Sequence, residues 1–313
     1  MTPAFPSTIP HGRTARRLEW AHLPPPVRAR IEERCGSPVV EAESQGGGFT
    51  PGFASVLICE DGSRHFVKAA STAAQRVFAA SYREEARKLG ALPESVPAPR
   101  LLWVEDGAWV VLGLEYVAAR APRRPWRPDE LDLCLDALEV VADQLTPVPD
   151  GLDLDPFAVE LADWPGLWDS VPDRDRRPHA DEAGALAATF ADVVGGGTLV
   201  HTDIRDDNVL LTRDRALFCD WNWPVVGASW LDSLILLVSP RGDGVDVERV
   251  IAERPLLRNV PADHVDRVLA LLAGYLLSRG AEPVPSNSPH LRDAQRWQGE
   301  VVWDWLCERR GWR

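Results

Sequence analysis

Long apolar runs are scarce in this 313-residue chain. The most apolar stretch, Leu231 to Val238, is far too short to span a bilayer as a helix. No positively charged stretch followed by an apolar run opens the sequence, so no secretory leader is expected and the chain reads as soluble and cytoplasmic. Paired cysteines are missing as well. Cys35, Cys59, Cys134, Cys219 and Cys307 are odd in number, more than twenty residues apart and never in C-x-x-C spacing, which excludes a sequence-evident zinc or redox motif and leaves them as ordinary buried thiols. Basic surplus is absent too: the formal net charge of −13 argues against nucleic acid and anionic membrane as partners, both of which need a basic footprint. There is no G-K-[ST] of a Walker A loop and no complete G-x-G-x-x-G.

What is present suits a globular protein. With 45% hydrophobic and 26% charged residues the chain can bury one large core or two modest ones, and two compact lobes fit the length. Residues 1–115 carry 13 acidic and 13 basic side chains, so the other 34 acidic and 21 basic ones fall in 116–313. That excess is either a solvated acidic surface or an acidic cleft that attracts a cation.

The first forty-odd residues are proline-rich, with one short helix expected over Val27 to Arg34, and read as an extension packed on a first lobe. A glycine-rich loop, Gly46 to Gly52, precedes strand-like runs Phe53 to Cys59 and His65 to Ala69, joined by a hairpin connection. A helix is expected over Thr72 to Leu92, then a strand pair, Leu101 to Val104 and Trp109 to Tyr116. Beyond Tyr116 helical patterns dominate: Asp129 to Leu145, Asp181 to Val194, Trp230 to Val238, Asp263 to Ser278 and His290 to Arg309, with short strands Val209 to Leu211 and Ala216 to Cys219 among them.

The most informative segment runs from Leu199 to Leu211. It sets His201, Asp203 and Asn208 at H-x-D-x-x-x-x-N spacing, and Asp220 follows just past an apolar strand. Phosphoryl transfer needs such parts: a carboxylate to receive the acceptor's hydroxyl proton, and oxygen ligands for a magnesium ion that bridges the phosphates. Asp or Asn alone usually just caps a turn. Here the spacing, the apolar run behind Asn208 and the strand-then-Asp that follows together point to chemistry.

Val200 to Leu211 with Asp220-Trp221 resembles the catalytic loop and metal-binding aspartate of the aminoglycoside phosphotransferase family, relatives of the protein kinases, and the resemblance extends over about residues 40 to 310. It implies an α+β, bilobal protein-kinase-like fold: a small β-rich N-lobe with its extension over 1–115, binding the nucleotide phosphates, and a larger, mainly helical C-lobe over 116–313, binding the acceptor. It implies Asp203 as catalytic base, Asn208 and Asp220 as ligands of Mg2+, ATP or GTP as co-substrate, and His201 as support for the loop. Arg205 matches a position where a cation meets the transferred phosphoryl group; the alternative is a surface arginine paired with Asp206 or Asp207. Asp232 resembles the aspartate that braces the catalytic loop from a helix start.

The resemblance makes demands upstream. Lys68, one of two lysines in the first lobe, matches the phosphate-contacting lysine, and Glu85, with Glu84 as the other choice, matches its helix partner. In the glycine loop Pro51 stands where the last kinase glycine would fall; the backbone of Gly47, Gly48, Phe49 and Thr50 can still approach phosphate, a plain hairpin turn being the alternative. Leu112 to Val117 resembles the hinge, which implies Glu115 and Val117 at the nucleotide base. No A-P-E closes an activation segment, which disfavours a protein kinase.

The acceptor is expected in the second lobe, where residues 147–180 carry Trp164 and Trp168 and the acids Asp153, Asp155, Glu160, Asp163, Asp169, Asp173 and Asp175. Any of these tryptophans is either core or a stacking wall. Two readings stand: an enzyme phosphorylating a hydroxyl of a small, cationic molecule, such as an aminoglycoside, another antibiotic or a metabolite like an amino sugar or choline; and a catalytically dead nucleotide-binding protein of the same fold. Retention of Lys68, Glu85, Asp203, Asn208 and Asp220 favours the enzyme.

Overall fold

Apolar and β-branched runs between tight turns make the first lobe a sheet. In the computed structural model, which describes residues 5–7, 9–10, 14, 16–47 and 52–312, β1 (Val39–Ser44), β2 (Phe53–Cys59), β3 (Arg64–Ser71), β4 (Leu101–Asp106) and β5 (Trp109–Glu115) form one antiparallel sheet in the order β1-β2-β3-β5-β4. Successive side chains of a strand point to opposite faces. One face, with Phe53, Leu57, Val67, Ala69 and Val111, is covered by α1 (Pro25–Cys35) through Ile31 and Cys35. The other, with Ala70, Val110 and Leu112, is covered by α2 (Arg76–Ala91) through Ala79, Tyr82 and Ala86. Lys68 alternates onto the α2 face, and Glu85 belongs to the buried side of α2, so the two meet by periodicity alone.

The second lobe is mainly helical: α3 (Pro128–Gln144), α4 (Phe157–Glu160), α5 (Ala180–Ala187), α6 (Leu231–Leu236), α7 (Val238–Gly242), α8 (Val247–Glu253), α9 (Ala262–Gly280) and α10 (Leu291–Arg310). Two small strand pairs interrupt them, β6 (Thr198–Val200) with β9 (Val225–Gly227), and β7 (Val209–Leu211) with β8 (Ala216–Phe218). The architecture is thus the α+β, bilobal one expected. Helices α9 and α10 pack so closely that a Cβ on Gly299 would lie 2.9 Å from the backbone nitrogen of Leu277. Trp168, Trp221 and Trp305 are among the largest fully buried side chains; truncation of such a residue typically costs about 3–5 kcal/mol. Among the described residues no helix is long and apolar enough to cross a membrane.

Three local expectations change. The helix expected over Asp181 to Val194 stops at Ala187, where the Thr189 hydroxyl turns back to donate to the Leu186 carbonyl at 2.9 Å and competes with the helical ladder. The helix expected over Trp230 to Val238 splits into α6 and α7 because Pro240 has no N–H for the Leu236 carbonyl. The N-terminal extension, expected on the first lobe, bridges both: Phe5 N–H donates to Gly242 O at 2.9 Å, Trp297 Nε1 to Phe5 O at 3.0 Å and Arg16 N–H to Asn287 O at 3.1 Å, while Thr14 N–H reaches Gly46 O at 2.8 Å and Leu18 N–H reaches Gly52 O at 3.1 Å. An extended segment has no ladder of its own, so its backbone groups find partners on whatever surface they cross.

Candidate active site

The loop leaving β6 is held by α6. Asp232, in the first turn of that helix, accepts the N–H groups of His201 at 2.7 Å and Thr202 at 2.9 Å, and so supports the left-handed backbone of Thr202 (φ 67°). His201 is buried and packs edge-on against Trp221 at 4.5 Å between ring centroids. Its Nδ1 accepts the Asp203 N–H at 3.2 Å, so the proton belongs on Nε2, which donates to the Cys219 carbonyl at 3.0 Å. Burial holds its pKa below the ordinary value, outweighing Asp232, and the ring is neutral. It ties the Asp203 loop to the Asp220 strand.

Asp203 accepts from Asn208 Nδ2 at 3.0 Å and from Arg205 Nη1 at 2.5 Å; Asn208 also donates to the Asp203 carbonyl at 2.9 Å. Arg205 further bonds Asp207 at 2.9 and 3.0 Å. Burial pushes the Asp203 carboxyl up to about 6; Arg205 pulls it down, and the like charges of Asp207 and Asp220 add to the rise. Of its two expected settings, Arg205 shows the pairing with Asp207, and it adds Asp203 as a second partner.

Across the cleft Lys68 Nζ lies 2.6 Å from Glu85 Oε1 and 2.9 Å from Asp220 Oδ1. Glu84, the other candidate, is exposed and pairs with Arg87 at 2.9 Å. Burial opposes the Lys68 charge, yet the carboxylates of Asp220 and Glu85 overcome it and hold the ammonium far above its usual range. One cation cannot satisfy two buried carboxylates equally: burial keeps the Glu85 carboxyl above its usual value, whereas for Asp220 Lys68 outweighs burial and holds it low. Asp220 sits at φ 69°, and the Asn222 amide bonds its carboxylate. Asn222 is itself fixed to α2, by Ser81 Oγ at 3.0 Å and by Lys88 Nζ on its carbonyl at 2.6 Å, so the Asp220 turn is locked to the first lobe.

Of the cavities that adjoin these groups, two share Asp220. One, of about 380 Å³, is lined by Lys68, Glu85, Glu115, Val117, Asn208 and Asp220 among others. The second, of about 530 Å³, is lined by Asp203, Arg205, Glu160, Trp164 and Tyr275 among others, and again by Asp220. Asp220 therefore stands where the two meet. Glu115 lines the first cavity and its side chain pairs with Arg100 at 3.1 Å. Gly47 lines that cavity; Gly48, Phe49 and Thr50 lie outside the described residues. Asn208 and Asp220 bring hard oxygen donors to one wall, a donor set suited to Mg2+.

Some participants had no signal in the sequence. Arg17, from the N-terminal extension, donates to the Gly47 carbonyl at 2.6 Å and lines the first cavity, where its charge bears on both Glu85 and Asp220. Trp223 and Tyr275 line the second. Among the acids of 147–180 only Glu160 does so; the acidic excess elsewhere includes ion pairs, such as Arg254 with Asp132, Asp136 and Glu139. Two thiols expected to be unremarkable converge: Cys35, Cys59 and His65 offer ligand atoms within 4.8 Å of one another, because α1 ends over the β2–β3 turn.

The fold is of one class: the bilobal, kinase-like one, which is also seen in small-molecule phosphotransferases. No protein-family model and no curated protein sequence matches the chain. Among solved structures, a thermostable mutant of an aminoglycoside phosphotransferase in ternary complex with AMP-PNP and hygromycin B is 15% identical, with a TM-score of 0.59 over 91% of this chain and 99% of that one. A choline/ethanolamine kinase family protein from Mesorhizobium loti is 18% identical, with a TM-score of 0.60 over 88% and 93% of the two chains. The choline kinase LicA from Streptococcus pneumoniae is 13% identical, with a TM-score of 0.60 over 89% and 99%. These likenesses establish the fold.

Proposed function

We propose that the chain is a small-molecule phosphotransferase that moves the γ-phosphoryl group of a nucleoside triphosphate to an acceptor hydroxyl. The observation that carries this reading is the position of Asp220 in the walls of both cavities, with Lys68 on one side and Asp203 on the other. The solved relatives of this fold include one holding AMP-PNP with hygromycin B and one holding AMP-PNP, Ca2+ and amicoumacin.

In this reading residues 1–115 and the 116–117 edge take the nucleotide, its base against the backbone of Glu115 and Val117 and its phosphates near Lys68, Gly47 and Arg17, with Gly48, Phe49 and Thr50 contributing backbone. Residues 116–313 take the acceptor. Asn208 and Asp220 hold Mg2+, which when bound neutralises phosphate charge. Asp203 accepts the hydroxyl proton; the acceptor oxygen bonds to the γ-phosphorus as the bond to the β-bridging oxygen breaks, leaving nucleoside diphosphate. A carboxyl raised to about 6 suits a general base working near neutrality. Arg205 orients that carboxylate and is the cation nearest it. A requirement for nucleoside triphosphate fits a cytoplasmic activity, and Glu160 offers one position for an amine of a cationic acceptor.

The test is magnesium-dependent nucleotide consumption by purified protein across hydroxylated amines, sugars and nucleosides, with Asp203→Asn and Asp220→Ala as controls. Loss of turnover in both variants is the expected result; consumption that survives both would place the chemistry elsewhere.

A further inference from the structure

The acceptor cavity carries more than its position. Among the described residues its charged lining is short: Glu160, Asp203, Asp220 and Arg205. Asp203 is engaged by Arg205 and Asn208, and Asp220 by Lys68 and Asn222. Of the four, only Glu160 stands outside the catalytic cluster. The rest of the lining is dominated by apolar and aromatic side chains, Phe78, Trp164, Trp223, Ile235, Leu272 and Tyr275 among them. Trp164 and Tyr275 stack at 3.7 Å with rings 5° from parallel, a flat wall held by packing. Val77 and Trp223, 76% and 63% exposed, are two of the few large apolar side chains left open to water, and both border this cavity. Monomeric proteins seldom gather such residues without use for them.

Each amine carried into a cavity needs a carboxylate to offset its lost hydration. One carboxylate therefore admits one amine, whereas the apolar walls favour an apolar body, and about 530 Å³ is room for a molecule of drug size. Resting on the phosphotransferase reading, we propose that the acceptor is an amphiphilic alcohol: an apolar body against Phe78, Trp223 and the Trp164–Tyr275 wall, at most one positive charge at Glu160, and a hydroxyl at Asp203. The acidic excess of residues 116–313 is then chiefly surface charge and not a polycation cleft.

Three probes test this: octyl glucoside below its micellar concentration, N-octylethanolamine, and the polyamine sugar neamine. Magnesium-dependent nucleotide hydrolysis without acceptor is measured alongside. The two amphiphiles should be phosphorylated with kcat/KM at least about tenfold above neamine, and Trp223→Ser should raise their KM by about tenfold. Val77→Ser, at a largely exposed helix position, is a second variant expected to act in the same direction. Raising ionic strength should leave KM flat or lower it, because salt screens a single ion pair but favours apolar burial. Preference for neamine, a KM that climbs several-fold with salt, a KM for the best acceptor unmoved by both variants, or hydrolysis with no transfer to either amphiphile would each overturn the amphiphile assignment while the phosphotransferase reading stood. Absence of both hydrolysis and transfer would instead remove that reading, and this one with it.

Discussion

Arg205 Nη1 lies 2.5 Å from Asp203 Oδ1, so the proposed base rests against a guanidinium before any substrate arrives. That pair makes the protonation of Asp203 the first quantity to measure. Asp203→Asn is expected to lower kcat by about 10²–10⁴ while nucleotide affinity changes little, as for removal of a general base. Retention of near-wild-type turnover would place the base elsewhere.

The pH dependence follows from the same carboxyl. With its pKa raised to about 6 in the free protein, kcat/KM should rise with pH as Asp203 ionises and level off above neutrality. Stability should move the other way. A folded pKa above the unfolded value of about 3.9 means that the folded state binds the proton more tightly, so this group's contribution falls as pH rises from about 4 to about 6. Melting curves of wild type and Asp203→Asn across that window should converge at low pH and separate, with the variant the more stable, above it.

Asp220→Ala removes a proposed metal ligand and also one of the two carboxylates that hold Lys68. Magnesium-dependent nucleotide binding should be lost in isothermal titration. Unchanged affinity would refute the assignment.

Lys68→Met leaves Glu85 and Asp220 facing each other without their cation, and Glu85 is 1% exposed. A stability loss of about 3 kcal/mol is expected, the range for breaking a buried pair by removing one partner. Lys68→Met combined with Glu85→Gln should recover part of it in denaturant melts, since the repulsion goes with the second charge.

Arg17 enters the proposed nucleotide cavity from outside the sheet, through its bond to Gly47. Arg17→Ala should raise the nucleotide KM several-fold with little change in kcat, the signature of uniform phosphate binding. A nucleotide KM indifferent to the substitution would confine Arg17 to bracing the loop.

The Lys68–Glu85 contact was legible because two periodicities cross there, alternation along β3 and the i, i+3, i+4 face of α2, and both are written in local sequence. The Asp203–Asn208 grouping was legible because its members lie within one loop. Strand β1 was not, since it is an edge carrying Glu41 and Glu43 with most of its side chains outward, and β6 and β9 are only three residues each. Arg17 at Gly47, Tyr275 beside Trp164 and Cys35 beside Cys59 are meetings of distant segments that no local pattern encodes. The acidic excess was open to two readings for a related reason: composition counts charges but not which arginine each one faces, and Arg254 alone gathers three.

The chain has just two lysines, and both are buried: Lys68 at 9% exposure and Lys88 at 8%. Lys88 is spent on the Asn222 carbonyl, while Lys68 lines the proposed nucleotide cavity. Amine-directed reagents, which on most proteins scatter over the surface, meet no surface lysine here. Because Glu85 and Asp220 hold Lys68 as the ammonium, such reagents should spare it in the folded chain and acylate it once the chain opens, so that the degree of acylation, read by mass spectrometry, becomes a direct gauge of opening and of any ligand that opposes it.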